Sequence, residues 1–185
     1  IAENAVIRVK QGTACTLSQS GWSDPWWKEA MICYCFLRNV VDVLIGGRTA
    51  YYKRFGVDYD GPIYAFGAEI EYLPSPPDDK AKLHKLGGKL LRGIFIGYAQ
   101  VSGGGFQGDL YVCDCDDIAN ATHCNSIPHK RFKAAEVFPV GKALEPRFPL
   151  AEGDLLQPGQ RASIVRKISR RECIAKEKQE QEELD

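Results

Sequence analysis

Apolar residues recur at helical spacing through the first third of the chain and at strand spacing after it. Ala2, Val6, Val9, Thr13 and Leu17 fall on one stripe, with Glu3, Arg8 and Lys10 off it, so the segment to about Gln19 is predicted to be an amphipathic helix packed on something. Gly21 ends it. Asp24-Pro25 then opens a second helix, because a carboxylate accepts the free N-terminal amides and proline tolerates the first helical position. This helix carries Trp27, Ala30, Met31, Tyr34 and Leu37 on one side and is expected to stop near Gly46-Gly47. Thr49 to Phe55 adds one more turn, capped by Thr49 and closed by Gly56. So much aromatic surface needs a partner. Neither the following strands nor the tail offers one, which predicts a covering sheet contributed by sequence before Ile1.

From Gly61 the period shortens. Ala68 to Tyr72 alternates as a strand with one buried face, and Pro74, Pro76 and Pro77 break it. Lys80 to Arg92 is expected to be a long exposed loop. Arg92 to Tyr98 forms the next strand, Gly103-Gly104-Gly105 the turn, and Leu110 to Cys113 the strand after it; Asp116 to Thr122 is a weaker strand or turn, and Ser126 to Phe132 the last candidate. Short strands separated by glycine and proline predict a small closed β-barrel. Val137 to Pro158 loses periodicity and reads as an exposed linker. In Arg161 to Asp185 the bases come first and the acids last, against the helix dipole, which predicts a frayed or disordered tail. The fold class is α+β, divided as 1–60 helical, 61–140 barrel and 141–185 linker and tail.

Composition narrows the function classes. Lys plus Arg and Asp plus Glu both total 24 in 185 residues, which removes any global attraction to phosphate, so a nucleic-acid contact must be local. No apolar run is long enough to span a bilayer and the first residues lack the order of a signal peptide. An intracellular protein, cytoplasmic or nuclear and not secreted, with no membrane partner, is expected. Seven cysteines without framework spacing fit reduced thiols. The chain begins at Ile1 and not at methionine, which reads as a piece of something longer.

Several motifs follow one another in an informative order. Ile1-Ala2-Glu3-Asn4-Ala5-Val6-Ile7-Arg8 comes first, then Trp27-Lys28-Glu29-Ala30, Leu37-Arg38-Asn39 and Thr49-Ala50-Tyr51-Tyr52-Lys53-Arg54-Phe55-Gly56. Phe66-Gly67, Lys82-Leu83, Gly93-Ile94-Phe95-Ile96-Gly97-Tyr98 and the Lys130 to Phe138 segment complete the series. Together, over roughly residues 1 to 140, these resemble the Pol polyprotein of copia-type LTR retrotransposons, from the end of the RNase H-like integrase core into the SH3-like barrel that follows it. Alanine at position 50 replaces the proline of the family's Thr-Pro-Tyr. The resemblance implies DNA integration, with retroelement and target DNA and other integrase subunits as partners. The barrel would position DNA or neighbouring subunits.

On that resemblance Glu3 corresponds to the third acid of the Asp-Asp-Glu set with which the family holds two Mg²⁺ ions. Paired ions must activate a water or DNA 3′-hydroxyl and stabilise the leaving oxygen, and one carboxylate cannot hold them. The two aspartates are expected upstream of Ile1, since Asp24, Asp42, Asp58 and Asp60 lie in loops or after the helix. The chain alone should therefore be inactive and carry no cofactor, Mg belonging to the intact parent enzyme. The residue itself leaves another reading open, a first-turn acid interacting with its own helix dipole.

Lys10 shares a helical face with Glu3 and could reach a phosphate, or be simply solvated. Lys80, Lys82, Lys85, Lys89 and Arg92 form the main phosphate-binding candidate, set against the reading of a charge run as a solvated face with Asp114, Asp116 and Asp117 nearby. Phe106, Tyr98 and Tyr111 could stack on bases or fill a core. Two further classes stay in view. One is an SH3-like module that binds protein and not DNA. The other is a zinc-stabilised domain using Cys113, Cys115, His123, Cys124 and His129, whose spacing fits buried thiols better than a tetrahedral site.

Overall fold

The computed structural model describes residues 2–83, 85, 87–141 and 145–160; the tail from Arg161, expected to be frayed, lies outside them. Helix α1 (Ala2–Ser20) ends on Gly21, whose φ of +75° is the left-handed conformation that closes helices. Only its second half packs. Thr13 and Ser20 are buried and Leu17 touches the core, whereas Val6 and Ile7 are exposed. At Gly12 the helix passes so close to the Tyr34 ring that an added Cβ would lie 2.0 Å from Cζ, so a bulkier residue there would force the Tyr34 ring to move.

The second helix differs from expectation at both ends. Asp24–Trp26 is a 3₁₀ turn, and helix α2 runs over Trp27–Val41. It stops before the glycines because β1 (Val43–Leu44) and β2 (Arg48–Thr49) pair as a hairpin around Gly46 and Gly47, both at positive φ. Its buried face is Ala30, Cys33, Phe36 and Val40, not the stripe beginning at Trp27, which is 54% exposed. Helix α3 (Ala50–Phe55) follows the expectation: the Thr49 side chain accepts from Tyr52 N and Gly56 closes the helix.

The sheet contains β3 (Glu69–Tyr72), β4 (Leu91–Gln100), β5 (Phe106–Asp114), β6 (Lys130–Lys133) and β7 (Val137–Pro139), antiparallel in the order β6-β5-β4-β3-β7. Helix α4 (Pro77–Ala81) occupies the start of the expected long loop, and helix α5 (Cys115–Asn120) replaces the weak strand expected at 116–122. The reason for α5 is local: Asp114 accepts from the amides of Asp116 and Asp117 and caps it. The residues from Ser126 to Pro128 precede β6 and do not join it, and the fifth strand is β7.

The expected closed barrel is not formed, since among the described residues β6 and β7 pair with β5 and β3 but not with each other. The sheet is nevertheless strongly curled. A 3₁₀ turn over Ala134–Glu136 carries the chain from one edge to the other. Four residue steps span at most about 14 Å. Five flat strands would put the edges about 19 Å apart.

Helices and sheet share one hydrophobic core, extending from Trp22 and Trp26 through Phe36, Tyr98 and Phe95 to Ile118, Phe132 and Leu150. Phe36 stacks on Tyr98 with ring centroids 4.4 Å apart and meets Tyr51, Tyr59 and Phe106 at 5.5–6.3 Å. The partner that the aromatic helices require is thus the adjacent sheet, which corrects the expectation of a covering sheet from outside. Tyr98 is buried, and Phe106 and Tyr111 pack against the same core, which favours the core reading of all three.

The expected exposed linker is likewise a packed strap. Helix α6 (Pro149–Glu152) buries Pro149 and Leu150, and an added Cβ at Gly21 would lie 2.3 Å from Ala151 N. Gln157 is fully buried, accepting from Ser23 N at 3.1 Å and donating to the Gly21 carbonyl at 2.7 Å. Replacing Phe36 with alanine should cost about 3–5 kcal/mol, the range for deleting a buried aromatic ring. Urea denaturation followed by tryptophan fluorescence measures it; a loss below about 1 kcal/mol would show that the helical layer is not locked to the sheet.

Candidate nucleic-acid interface

The basic run divides into two sets. Lys82 and Lys130 converge on three carboxylates from three elements: Asp79 on α4, Asp114 at the end of β5 and Asp117 on α5. Lys82 Nζ lies 3.0 Å from Asp117 and 3.2 Å from Asp114, and Lys130 Nζ lies 2.6 Å from Asp79 and 2.8 Å from Asp117. Asp79 and Asp114 are buried, and the Tyr72 hydroxyl donates to Asp114. Buried carboxylates hold their charge only when cations and donors compensate the lost hydration. Lys82, itself partly exposed, is therefore a counter-ion to buried acids that fastens the end of α4 to the sheet.

Arg92 has the same fate. Its Nε donates to Glu69 at 2.7 Å, and Glu69 is buried on β3 with Arg147 Nη1 3.5 Å from its other oxygen. The hydrogen bond to Glu69 raises the Arg92 pKa despite the opposing effect of burial.

Lys80, Lys85 and Lys89 remain. All three are exposed and make no ion pair among the described residues. With Leu73, Pro74 and Leu83 they line an open groove of about 540 Å³. Three ammonium groups beside an apolar floor can meet phosphates with their charge and sugars or bases with the floor.

Lys10 and Glu3 lie on the outer part of α1, both exposed and without an ion pair among the described residues. Seven residues separate them, about 10 Å along the helix, so they share a face without touching. Among the described residues no three His, Cys, Asp or Glu side chains come together to hold a metal. Glu3 thus belongs to no such group among the described residues.

The candidate zinc ligands are dispersed. Cys113 is buried in β5, Cys124 Sγ lies 3.6 Å from both Ser23 Oγ and the Pro158 carbonyl, and the His129 ring packs on Trp26. Burial pushes the Cys115 thiol up to about 12 and raises Cys113 as well, so both stay protonated.

The ionic cluster was half visible in the sequence, where Asp114, Asp116 and Asp117 were placed near the basic run. Asp79 and Lys130 were not singled out. Asp79 lies in a segment whose prolines suggested only a break, and Lys130 in a strand whose register the sequence did not reveal. Compared with family models, curated proteins and solved structures, the chain finds no match.

Burial alone would raise the Asp117 pKa, but hydrogen bonds from Lys130 and Lys82 outweigh it and hold the carboxyl below its ordinary 3.8. Burial alone would lower Lys82 and Lys130, but their bonds to Asp117 and its neighbours raise both above 10.5. The Asp117 contribution to stability is thus full above 3.8 and is lost as pH falls through its lowered value. That of the lysines is full below 10.5 and is lost as pH rises through their raised values. Lys130→Met, which strands buried carboxylates, should cost about 3 kcal/mol at neutral pH. Urea titration at several pH values should show the difference shrinking as pH falls below 3.8 and Asp117 protonates. A neutral-pH loss under about 0.5 kcal/mol would mark the cluster as a solvated surface network.

Proposed function

We propose that the chain is a nucleic-acid-binding part of a copia-type retrotransposon Pol polyprotein, joining the last helices of an RNase H-like integrase core (1–60) to an SH3-like module (61–140). The observation that carries the binding role is the sorting of the basic run. Lys82 and Arg92 are engaged by buried acids, while Lys80, Lys85 and Lys89 stay exposed around one groove. The meander of four strands with a fifth returning beside the first through a 3₁₀ turn supports the SH3-like reading of the sheet. The parent activity is DNA integration with Mg²⁺. Glu3 is its third acid, the other two belong to sequence beyond this chain, and no catalysis is assigned to the chain alone.

A second reading is a protein-interaction module without DNA binding. The β1–β2 hairpin favours it: Val43, Leu44 and Ile45 are 68%, 41% and 100% exposed, more apolar surface on one tip than an isolated hairpin needs.

Fluorescence anisotropy with a labelled duplex separates the two. Binding should weaken steeply with salt, and Lys80→Glu/Lys85→Glu/Lys89→Glu should lower the slope of log K against log salt by about 2–3, the loss of three phosphate contacts. Lys10→Ala should change it by less than about 1. Absence of binding at low salt would sink the nucleic-acid reading in favour of the hairpin-centred one.

A further inference from the structure

A second basic constellation surrounds α3, which reads Ala50-Tyr51-Tyr52-Lys53-Arg54-Phe55 and carries both cations in its last turn. Most neighbouring cations are committed. Arg38 pairs with Asp42 at 2.7 Å, Arg48 lies 3.5 Å from Asp58 and over the Tyr52 ring, and Lys53 Nζ donates to the Ile45 carbonyl at 3.2 Å. Arg54 has no carboxylate partner among the described residues. Its guanidinium carbon lies 5.6 Å from the Phe55 centroid, and an added Cβ at Gly103 would be 3.7 Å from its Nη2. Arg54, Asn39, Tyr51, Phe55, Gly103 and Gly104 line a pocket of about 130 Å³ between helices and the β4–β5 turn.

The turn suits an anion. Gly103 and Gly104 have φ of +106° and +88°, conformations that side chains seldom allow, and turns of this kind present backbone amides on a concave surface. Gly104 N donates to the Val101 carbonyl at 2.9 Å. The amide of Gly103, which lines the pocket, makes no hydrogen bond among the described residues. No carboxylate lines the pocket.

We propose that this pocket is a phosphate-binding site, with the Arg54 guanidinium as charged fork, the Asn39 amide and the Gly103 backbone amide as neutral donors, and Tyr51 and Phe55 as its apolar wall. Guanidinium and phosphate match in a two-bond geometry that an ammonium does not reproduce. The volume equals that of about four water molecules, which admits one tetrahedral oxyanion and leaves any attached sugar outside. The ligand is therefore free phosphate or a terminal phosphate monoester. The pocket and the Lys80–Lys89 groove flank opposite ends of the ten-residue strand β4, roughly 30 Å apart along it, so the proposal stands apart from the function proposed above.

Titration of the ¹⁵N-labelled chain with inorganic phosphate at constant ionic strength tests it. The Gly103–Gly105 amide signals should shift saturably with phosphate and not with chloride. Arg54→Ala should weaken the apparent affinity at least tenfold, Arg54→Lys by an intermediate factor, and Lys53→Ala less than twofold. Linear shifts shared with chloride, or an unchanged affinity in Arg54→Ala, would overturn the site; so would equal loss in Lys53→Ala, which would mean diffuse charge. Dinucleotides with and without a 5′-phosphate identify the source. Tighter binding of the phosphorylated form than of inorganic phosphate assigns nucleic-acid ends, equal or weaker binding assigns free phosphate, and equal binding of both dinucleotides rejects monoester recognition. The Lys80→Glu/Lys85→Glu/Lys89→Glu variant should titrate with phosphate unchanged, so failure of either reading is visible without the other.

Discussion

Buried carboxylates impose the constraint on which the arrangement depends. Glu69, Asp79 and Asp114 are all removed from water on or beside the sheet, and each is paired with a cation that offsets the cost of burying a carboxylate. The cations come from Lys82 just after α4, from the start of β4, from β6 and from the strap before α6. Satisfying three acids thus stitches peripheral segments to the sheet alongside the burial of Phe132 and Leu150. It also decides which basic residues remain for a ligand, because a lysine neutralising a buried aspartate cannot reach out to phosphate as well.

A separate apolar connection joins the helical layer to the sheet. Ring stacking between Phe36 and Tyr98, with Tyr51, Tyr59 and Phe106 edge-on around it, makes an aromatic knot at the point where α2 crosses β4. Edge-to-face and offset contacts of this sort add to the burial of the rings themselves. Helices and sheet consequently share one core.

The sequence was legible wherever a local rule governs. The Thr49 cap, the Gly21 and Gly56 stops and the Gly103–Gly105 turn are set by backbone conformations that few residues satisfy, and α1, α3, β3 and β4 fall close to where the periodicity puts them. It failed where a distant partner decides. Trp26 and not Trp27 is buried because the 3₁₀ turn before α2 shifts the helical phase, and 116–120 is helical because Asp114 caps it. The strap from 145 to 160 lacks periodicity, yet Leu150 meets Gly21 and Gln157 meets Ser23 across the fold. Within the basic run, nothing along the chain separates Lys82 from Lys85. Only the pairing of β5 with β6, which brings Lys130 and Asp114 to one corner, does so.

The strand pair β3–β7 has a consequence for how the sheet is joined to its surroundings. Ile70 lies opposite Pro139, so the chain enters and leaves the five-stranded unit at neighbouring points on one rim. Flanking sequence therefore meets at a single doorway: the Glu69 amide donates to the Arg147 carbonyl at 2.9 Å just beyond it, and the strap runs back to the helices that precede the sheet. A unit whose two ends adjoin can be transplanted whole between other segments without separating the parts that it interrupts.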